Sequence, residues 1–139
     1  VFQFLNTLTD PQYEIIVNAI KQYGLMNKVT FISFNIALLQ GIHSRMPLAR
    51  LGFIYNGEIV DAIISLMETI SGDNESFVDL WTNTLTTEGV NKCVSAGYPL
   101  EVWTPDTDEE ILALPDYVTG VTSDIKIAGK VLLENALSD

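Results

Sequence analysis

Few residues in this chain are able to do bond-breaking chemistry, and none of them is paired by spacing. There is one histidine, His43, and one cysteine, Cys93. General acid–base catalysis needs a donor and an acceptor brought to the same atom, and a serine nucleophile needs a base beside it. No serine stands at a recognisable spacing from His43. A glycine-rich phosphate loop, a His-Glu-x-x-His helix and a paired Cys/His set are all missing. Asp106-x-Asp108-x-Glu110 alternates like a calcium loop but lacks its glycine and distal glutamate. It reads as an acidic helix start, where negative charge suits the helix dipole. No catalytic and no metal-ligating residue is therefore assigned. What remains are residues at the tips of strands, Ser33, Phe34 and above all Trp103. An exposed indole offers an apolar face and one N–H donor, which suits holding a small polyol-bearing ligand. The same reading makes Cys93 a small core residue, His43 a helix-end residue, Trp81 a core anchor and Asp124 the cap of a following helix.

The elements that must position these tips alternate. Val1 to Leu5 is a short apolar strand. Asp10-Pro11 starts a helix, with Asp10 as cap and Pro11 in the first turn, carried by Tyr13, Ile16, Val17 and Ile20 and closed at Gly24. Val29 to Phe34 is a strand, and Asn35 caps a helix through about Arg45 that Pro47 ends. Leu48 to Tyr55 is a strand, and Asn56-Gly57 is a turn. A helix then shows Ile59, Ile63, Leu66, Met67 and Ile70 on one face. After a loop over residues 71–76, Phe77 to Trp81 is a strand. Thr86 or Thr87 caps a helix that ends at Gly97, and a strand runs to Trp103. A helix starts near Asp108, Val118 to Thr122 is a strand, and Ile125 to Leu137 is a last helix. Strands separated by helices of 10–15 residues imply parallel βαβ units. No linker composition divides residues 1–139, which read as one unit.

Composition narrows the partners. Eighteen acidic and seven basic residues give a net charge of −11, a field that repels nucleic acid and anionic membrane surfaces. At 47% hydrophobic residues the chain can bury a core, and no apolar run is long enough for a membrane span. One cysteine excludes an intrachain disulfide. Val1 in place of an initiator methionine reads as a processed or truncated start.

Five landmarks, taken in order, resemble one enzyme family. They are Lys28-Val29-Thr30-Phe31-Ile32-Ser33-Phe34-Asn35; Leu51-Gly52; Leu85-Thr86-Thr87-Glu88 with Ser95-Ala96-Gly97; Val102-Trp103-Thr104; and Gly120-Val121-Thr122-Ser123-Asp124. They look like the C-terminal half of a glycerophosphodiester phosphodiesterase, over about Asp10 to Ala136. The resemblance implies an α/β fold: half of a (β/α)8 TIM barrel of the PI-phosphodiesterase-like kind, with about four of eight units, parallel strands, outer helices and a site at the strand C-termini. It implies a parent reaction in which Ca²⁺ or Mg²⁺ assists hydrolysis of glycerophosphodiesters to glycerol 3-phosphate and an alcohol. It also implies that Trp103 lines the alcohol pocket, with Phe34 and Ser33 as further substrate-binding candidates. His43 matches neither catalytic histidine of the family. The family's catalytic segments would lie upstream, so this chain alone is expected to be inactive and to bind no cofactor; Gln3 and Leu5 stand near the positions of a family Glu and Lys, which implies that the parent itself lacks one metal ligand and one cation.

Half a barrel would have two unpaired sheet edges and an uncovered apolar inner layer. The expectation is therefore a homo-oligomer or a missing N-terminal half, with a small glycerol-containing ligand and no nucleic acid. The alternatives are a noncatalytic polyol- or protein-binding assembly domain on the same fold, and a small flavodoxin-like domain.

Overall fold

A computed structural model describes residues 1–124; the helix expected over 125–137 lies outside the described residues. The order is β1 (Phe2–Gln3), α1 (Asp10–Gln22), β2 (Thr30–Ser33), α2 (Ile36–Arg45), β3 (Arg50–Tyr55), α3 (Asp61–Glu68), β4 (Ser76–Trp81), a 3₁₀ turn at Thr82–Thr84, α4 (Thr87–Ala96), β5 (Leu100–Trp103), α5 (Asp108–Leu112) and β6 (Val118–Thr122). Helix ends follow local chemistry. The Asn35 Oδ1 accepts from the N–H groups of Ala37 and Leu38 at 3.0 and 3.3 Å, and the Thr86 hydroxyl accepts from Gly89 N–H at 3.1 Å. Gly97 closes α4 with φ +77°, the left-handed region that a side chain disfavours. The start of α1 is one residue earlier than expected. Thr9 is the cap and donates its N–H to the Gln12 side chain at 2.9 Å, while Asp10 turns sideways to pair with Arg45 at 2.7 Å.

All six strands form one parallel sheet in the order β1-β2-β3-β4-β5-β6. The expected count of four units is thus too low: the short segments at Phe2 and Val118 are full members of the sheet. Sequence order equal to spatial order has a consequence. Crossovers of one hand that always step the same way lay their helices on one face of the sheet. A flavodoxin-like sheet must reverse its order once, so that alternative is excluded. On the helix face Phe31, Leu39, Leu51, Met67, Val78, Leu80, Cys93 and Leu100 share one buried core. No helix among the described residues is long and apolar enough to cross a membrane.

The other face is concave. In a flat sheet β2 and β5 lie three strand spacings apart, about 14 Å. The ring centroids of Phe34, just past β2, and Trp103, at the end of β5, are only 5.9 Å apart. Gln3 of β1 and Thr122 of β6, five spacings apart in the sheet order, line one cavity. The sheet therefore curls around its helix-free side, as the wall of a barrel does.

This inner face is not the bare apolar layer expected from sequence. Phe77, Ile54 and Asp79 are already buried there, at 1%, 4% and 3% exposure. The glycine of β3 makes this possible: a Cβ on Gly52 would stand 2.3 Å from the Phe77 ring, so only glycine lets the ring lie across the face. The Arg50 guanidinium covers that ring at 4.1 Å and donates to Glu101 at 2.5 Å. Inner side chains cover one another, so less surface waits for a partner than a flat half-sheet would expose.

Candidate functional site

Strand alternation decides which residues reach the inner face. On β4 the sequence Phe77-Val78-Asp79-Leu80-Trp81 sends Val78 and Leu80 to the helix side and Phe77, Asp79 and Trp81 inward. On β5, Leu100 goes to the helix core, and Glu101 and Trp103 go inward. Register places Asp79 opposite Glu101 and Trp81 opposite Trp103. The two indoles stack with centroids 6.1 Å apart and 25° between planes, and Phe34 meets Trp103 edge-on at 85°. These three rings stand at the C-terminal ends of their strands and form a partly exposed aromatic mouth; Phe34 is 47% and Trp81 37% exposed. Trp103 is fixed by its own N–H, which donates to the Asp79 backbone carbonyl at 3.1 Å. The peptide between Trp103 and Thr104 is cis.

Beneath the mouth lies a cavity of about 250 Å³, lined by Gln3, Ile32, Phe34, Ile54, Asp79, Trp103, Thr104, Thr122 and Asp124. Its polar focus is Asp79. The Oδ1 atom is buried and has no hydrogen-bond partner among the described residues. Burial, followed by repulsion from the Glu101 carboxylate, pushes the Asp79 carboxyl up to about 7. Buried carboxyl groups without partners are rare in proteins because they cost stability. Asp124 stands at the rim, its N–H donating to Asp106 at 3.1 Å. Among the described residues no lysine, arginine or histidine lines the cavity.

The structure sorts the sequence candidates. It brings Trp103 and Phe34 together at the mouth. It places Ser33 away from the cavity: the side chain is fully buried, its Oγ donates to the Phe4 carbonyl at 2.8 Å and accepts from Asn35 N–H at 3.0 Å. That hydroxyl ties β1 to β2, its one proton is engaged, and its burial keeps it from the cavity. Trp81, expected as a core anchor, is instead a member of the mouth. Asp79 was missed, although a lone acid inside an apolar strand is a recognisable anomaly. His43 sits in the last turn of α2, away from the cavity lining. Glu110 accepts from the N–H groups of Asp106 and Thr107 at 2.8 and 3.0 Å. These bonds lower its carboxyl, and the acidic run is a helix start, as its sequence implies. Cys93 is buried, and burial pushes its thiol up to about 11.

A divalent cation does not fit what is here. Among the described residues no group of three or more His, Cys, Asp or Glu side chains comes together. Gln3 offers only a neutral amide oxygen to the cavity, where a hard ion prefers carboxylates.

No protein-family model matches the sequence, and no curated protein matches it. Solved structures do match. A protein from Silicibacter pomeroyi assigned as a glycerophosphoryl diester phosphodiesterase superposes with a TM-score of 0.74 at 15% identity, over 89% of this chain and 44% of its own. One from Galdieria sulphuraria, assigned as a glycerophosphodiester phosphodiesterase, gives 0.74 at 19%, over 95% and 52%. An Oleispira antarctica phosphodiesterase in complex with its product sn-glycerol-3-phosphate gives 0.71 at 18%, over 92% and 49%. At such identities what is shared is the fold. The chain has the α/β architecture of these TIM-barrel proteins and spans about half the length of each.

Proposed function

We propose that the chain forms one side of a glycerophosphodiester phosphodiesterase-like barrel and holds the alcohol end of a glycerophosphodiester at its aromatic mouth. The single observation that supports this best is the meeting of Phe34, Trp81 and Trp103 over a cavity at the strand C-termini, where barrels of this kind build their sites. The parent reaction would add water across a P–O ester to give glycerol 3-phosphate and an alcohol. That reaction needs a cation at the phosphoryl oxygens and a positioned acid and base. Among the described residues the cavity has no cationic side chain, and the one histidine lies elsewhere. In this reading the hydrolytic groups come from another part of the working barrel, and this chain binds and orients. Edge strands β1 and β6 are then paired by that part or by a second copy of the chain.

The experiment is a turnover assay on the purified chain with glycerophosphocholine and Mg²⁺ or Ca²⁺, reading glycerol 3-phosphate. The expected result is no release above the blank. Release that a chelator abolishes would overturn the assignment of the hydrolytic groups to another part. Sedimentation at micromolar concentration tests completion by a second copy; a monomer would leave only completion by another chain segment.

A further inference from the structure

A second cavity opens beside the aromatic mouth, between the 3₁₀ turn after β4 and helix α5, and the proposed alcohol site does not use it. It has about 400 Å³, a size common for small-molecule sites. The end of β4 and the turn supply Trp81, Thr82 and Asn83, the segment after β5 supplies Thr104, and α5 supplies Glu110; the rest of the lining is apolar. Trp103 lines the cavity beneath the mouth and Trp81 lines this one, so the stacked indole pair separates the two.

What these side chains have left to offer sets the ligand. The Trp81 indole is covered by Trp103 on one face and is 37% exposed, so it presents an apolar plate. Among the described residues the Asn83 amide and the Thr104 hydroxyl make no hydrogen bond. The Thr82 hydroxyl donates to the Trp103 carbonyl at 2.8 Å and keeps its acceptor sites. Glu110 is held through Oε2 by the N–H groups of Asp106 and Thr107, and its carboxylate retains acceptor sites. The cavity therefore surrounds one ring face with two hydroxyls, an amide and a carboxylate. Among the described residues no basic side chain lines it, so a phosphate or carboxylate group would find no cation. An ammonium ion would find a single ring face where aromatic cages assemble several. A ring with C–H groups on its face and hydroxyls around its edge matches the whole lining.

We propose that this cavity is a carbohydrate site that takes a neutral pyranose ring, its C–H face on the Trp81 indole and its hydroxyl groups on Asn83, Thr104 and Glu110. The site is independent of the mouth: a sugar bound here leaves the cavity beneath the mouth free.

The test titrates the full chain with methyl glucopyranoside, methyl galactopyranoside and methyl mannopyranoside, followed by saturation-transfer NMR and tryptophan fluorescence. Choline and inorganic phosphate serve as charged probes. The expected result is saturable binding of at least one glycoside with a Kd of about 1–10 mM, the affinity that a few hydrogen bonds and one stacked ring supply. Both charged probes should bind at least about fivefold more weakly. Asn83→Ala, at an exposed position with no bond of its own to lose, should weaken the bound glycoside about fivefold. Phe34→Leu, which alters the mouth and not this cavity, should leave it within about twofold. Absence of glycoside binding at about 50 mM, or choline or phosphate bound as tightly as the best glycoside, would overturn the proposal and leave the alcohol-binding reading of the mouth standing. So would an unchanged affinity in Asn83→Ala. A glycoside weakened by Phe34→Leu as much as by Asn83→Ala would put the sugar in the mouth and overturn the second site.

Discussion

The two ends of the concave face are built from the same strands with the same alternation, yet they are finished differently. At the N-terminal end, Arg50, Phe77 and Glu101 satisfy one another: guanidinium on ring at 4.1 Å, guanidinium to carboxylate at 2.5 Å, and a further ion pair to Glu75 at 3.3 Å. At the C-terminal end, Asp79 has an unpartnered oxygen and the aromatic rings stand half in solvent. One end spends its polar groups on the fold; the other leaves them open. In parallel barrels the first pattern belongs to stability and the second to ligands. The contrast predicts that substitutions at the two ends separate stability from binding.

The largest expected effect is at the closed end. Gly52→Leu forces a Cβ to 2.3 Å from Phe77 and 2.9 Å from Ile32 and adds three more carbons. Overpacking of that order costs about 3 kcal/mol or more, a large part of a domain's stability. Urea unfolding followed by circular dichroism should show the variant largely unfolded at 25 °C. A stability within about 1 kcal/mol of wild type would mean that Phe77 does not lie across the face as described.

The next effect has the opposite sign and lies at the open end. The Asp79 carboxyl ionises at about 7 in the fold against 3.8 for an unperturbed side chain. Below about pH 4 both folded and unfolded chains carry the proton, and the group contributes nothing. Between pH 4 and 7 the unfolded chain ionises first, so stability falls by about 1.4 kcal/mol per unit. Above pH 7 the loss is complete, at about 4 kcal/mol. Asp79→Asn should therefore match wild type near pH 4, where both side chains are neutral, and exceed it at pH 8 by most of that loss, since the amide does not ionise. Wild-type stability that stays level from pH 4 to 8 would place Asp79 in water. A gain in stability joined to a loss of ligand is the expected behaviour of a residue kept for binding.

How much of this was legible beforehand depends on the distance over which residues must meet. Asn35, Thr86 and Gly97 announce their caps because a cap is decided within four residues. The helix–strand alternation is legible for the same reason. The inner face is not, because it joins residues such as Arg50 and Glu101, 51 positions apart, through a curl that no local pattern encodes. Trp81 illustrates the limit. Phe77 to Trp81 is apolar but for one acid and reads as a short strand with Trp81 as a core anchor. Only its register against β5 puts Trp81 on Trp103. Ser33 failed in the other direction: a polar residue at a strand tip looks available, but the neighbouring strand supplies a carbonyl that occupies its hydroxyl. Phe34 and Trp103 were legible as strand-tip aromatics, and their meeting was not.

A smaller effect returns to the closed end and couples it to the open one. Glu101→Gln leaves Arg50 its pair with Glu75, and both Arg50 and Glu75 reach solvent, so the cost is about 1 kcal/mol rather than that of a fully buried pair. The same change removes the second cause of the raised Asp79 ionisation. The pH-dependent fall in stability should then be complete at a lower pH than in wild type. Urea midpoints measured every half unit from pH 4 to 8 would show the shift; an unchanged profile would mean that the two ends are electrically independent.

The smallest effect on stability is expected at the rim itself. Phe34 lies just past the end of β2, is about half exposed and packs edge-on against Trp103 without belonging to the buried core. Replacing it by leucine removes one aromatic pair, worth about 0.5–1.5 kcal/mol where pairs are buried, and less here because half of the ring faces water. The expected change in unfolding free energy is about 0.5 kcal/mol. Trp103, losing its edge-on neighbour, should respond more: its fluorescence should shift to the red as water reaches the indole. If Phe34→Leu instead destabilised the chain as much as Gly52→Leu, the mouth would be part of the core, and the division of the concave face into a closed end and an open end would fail.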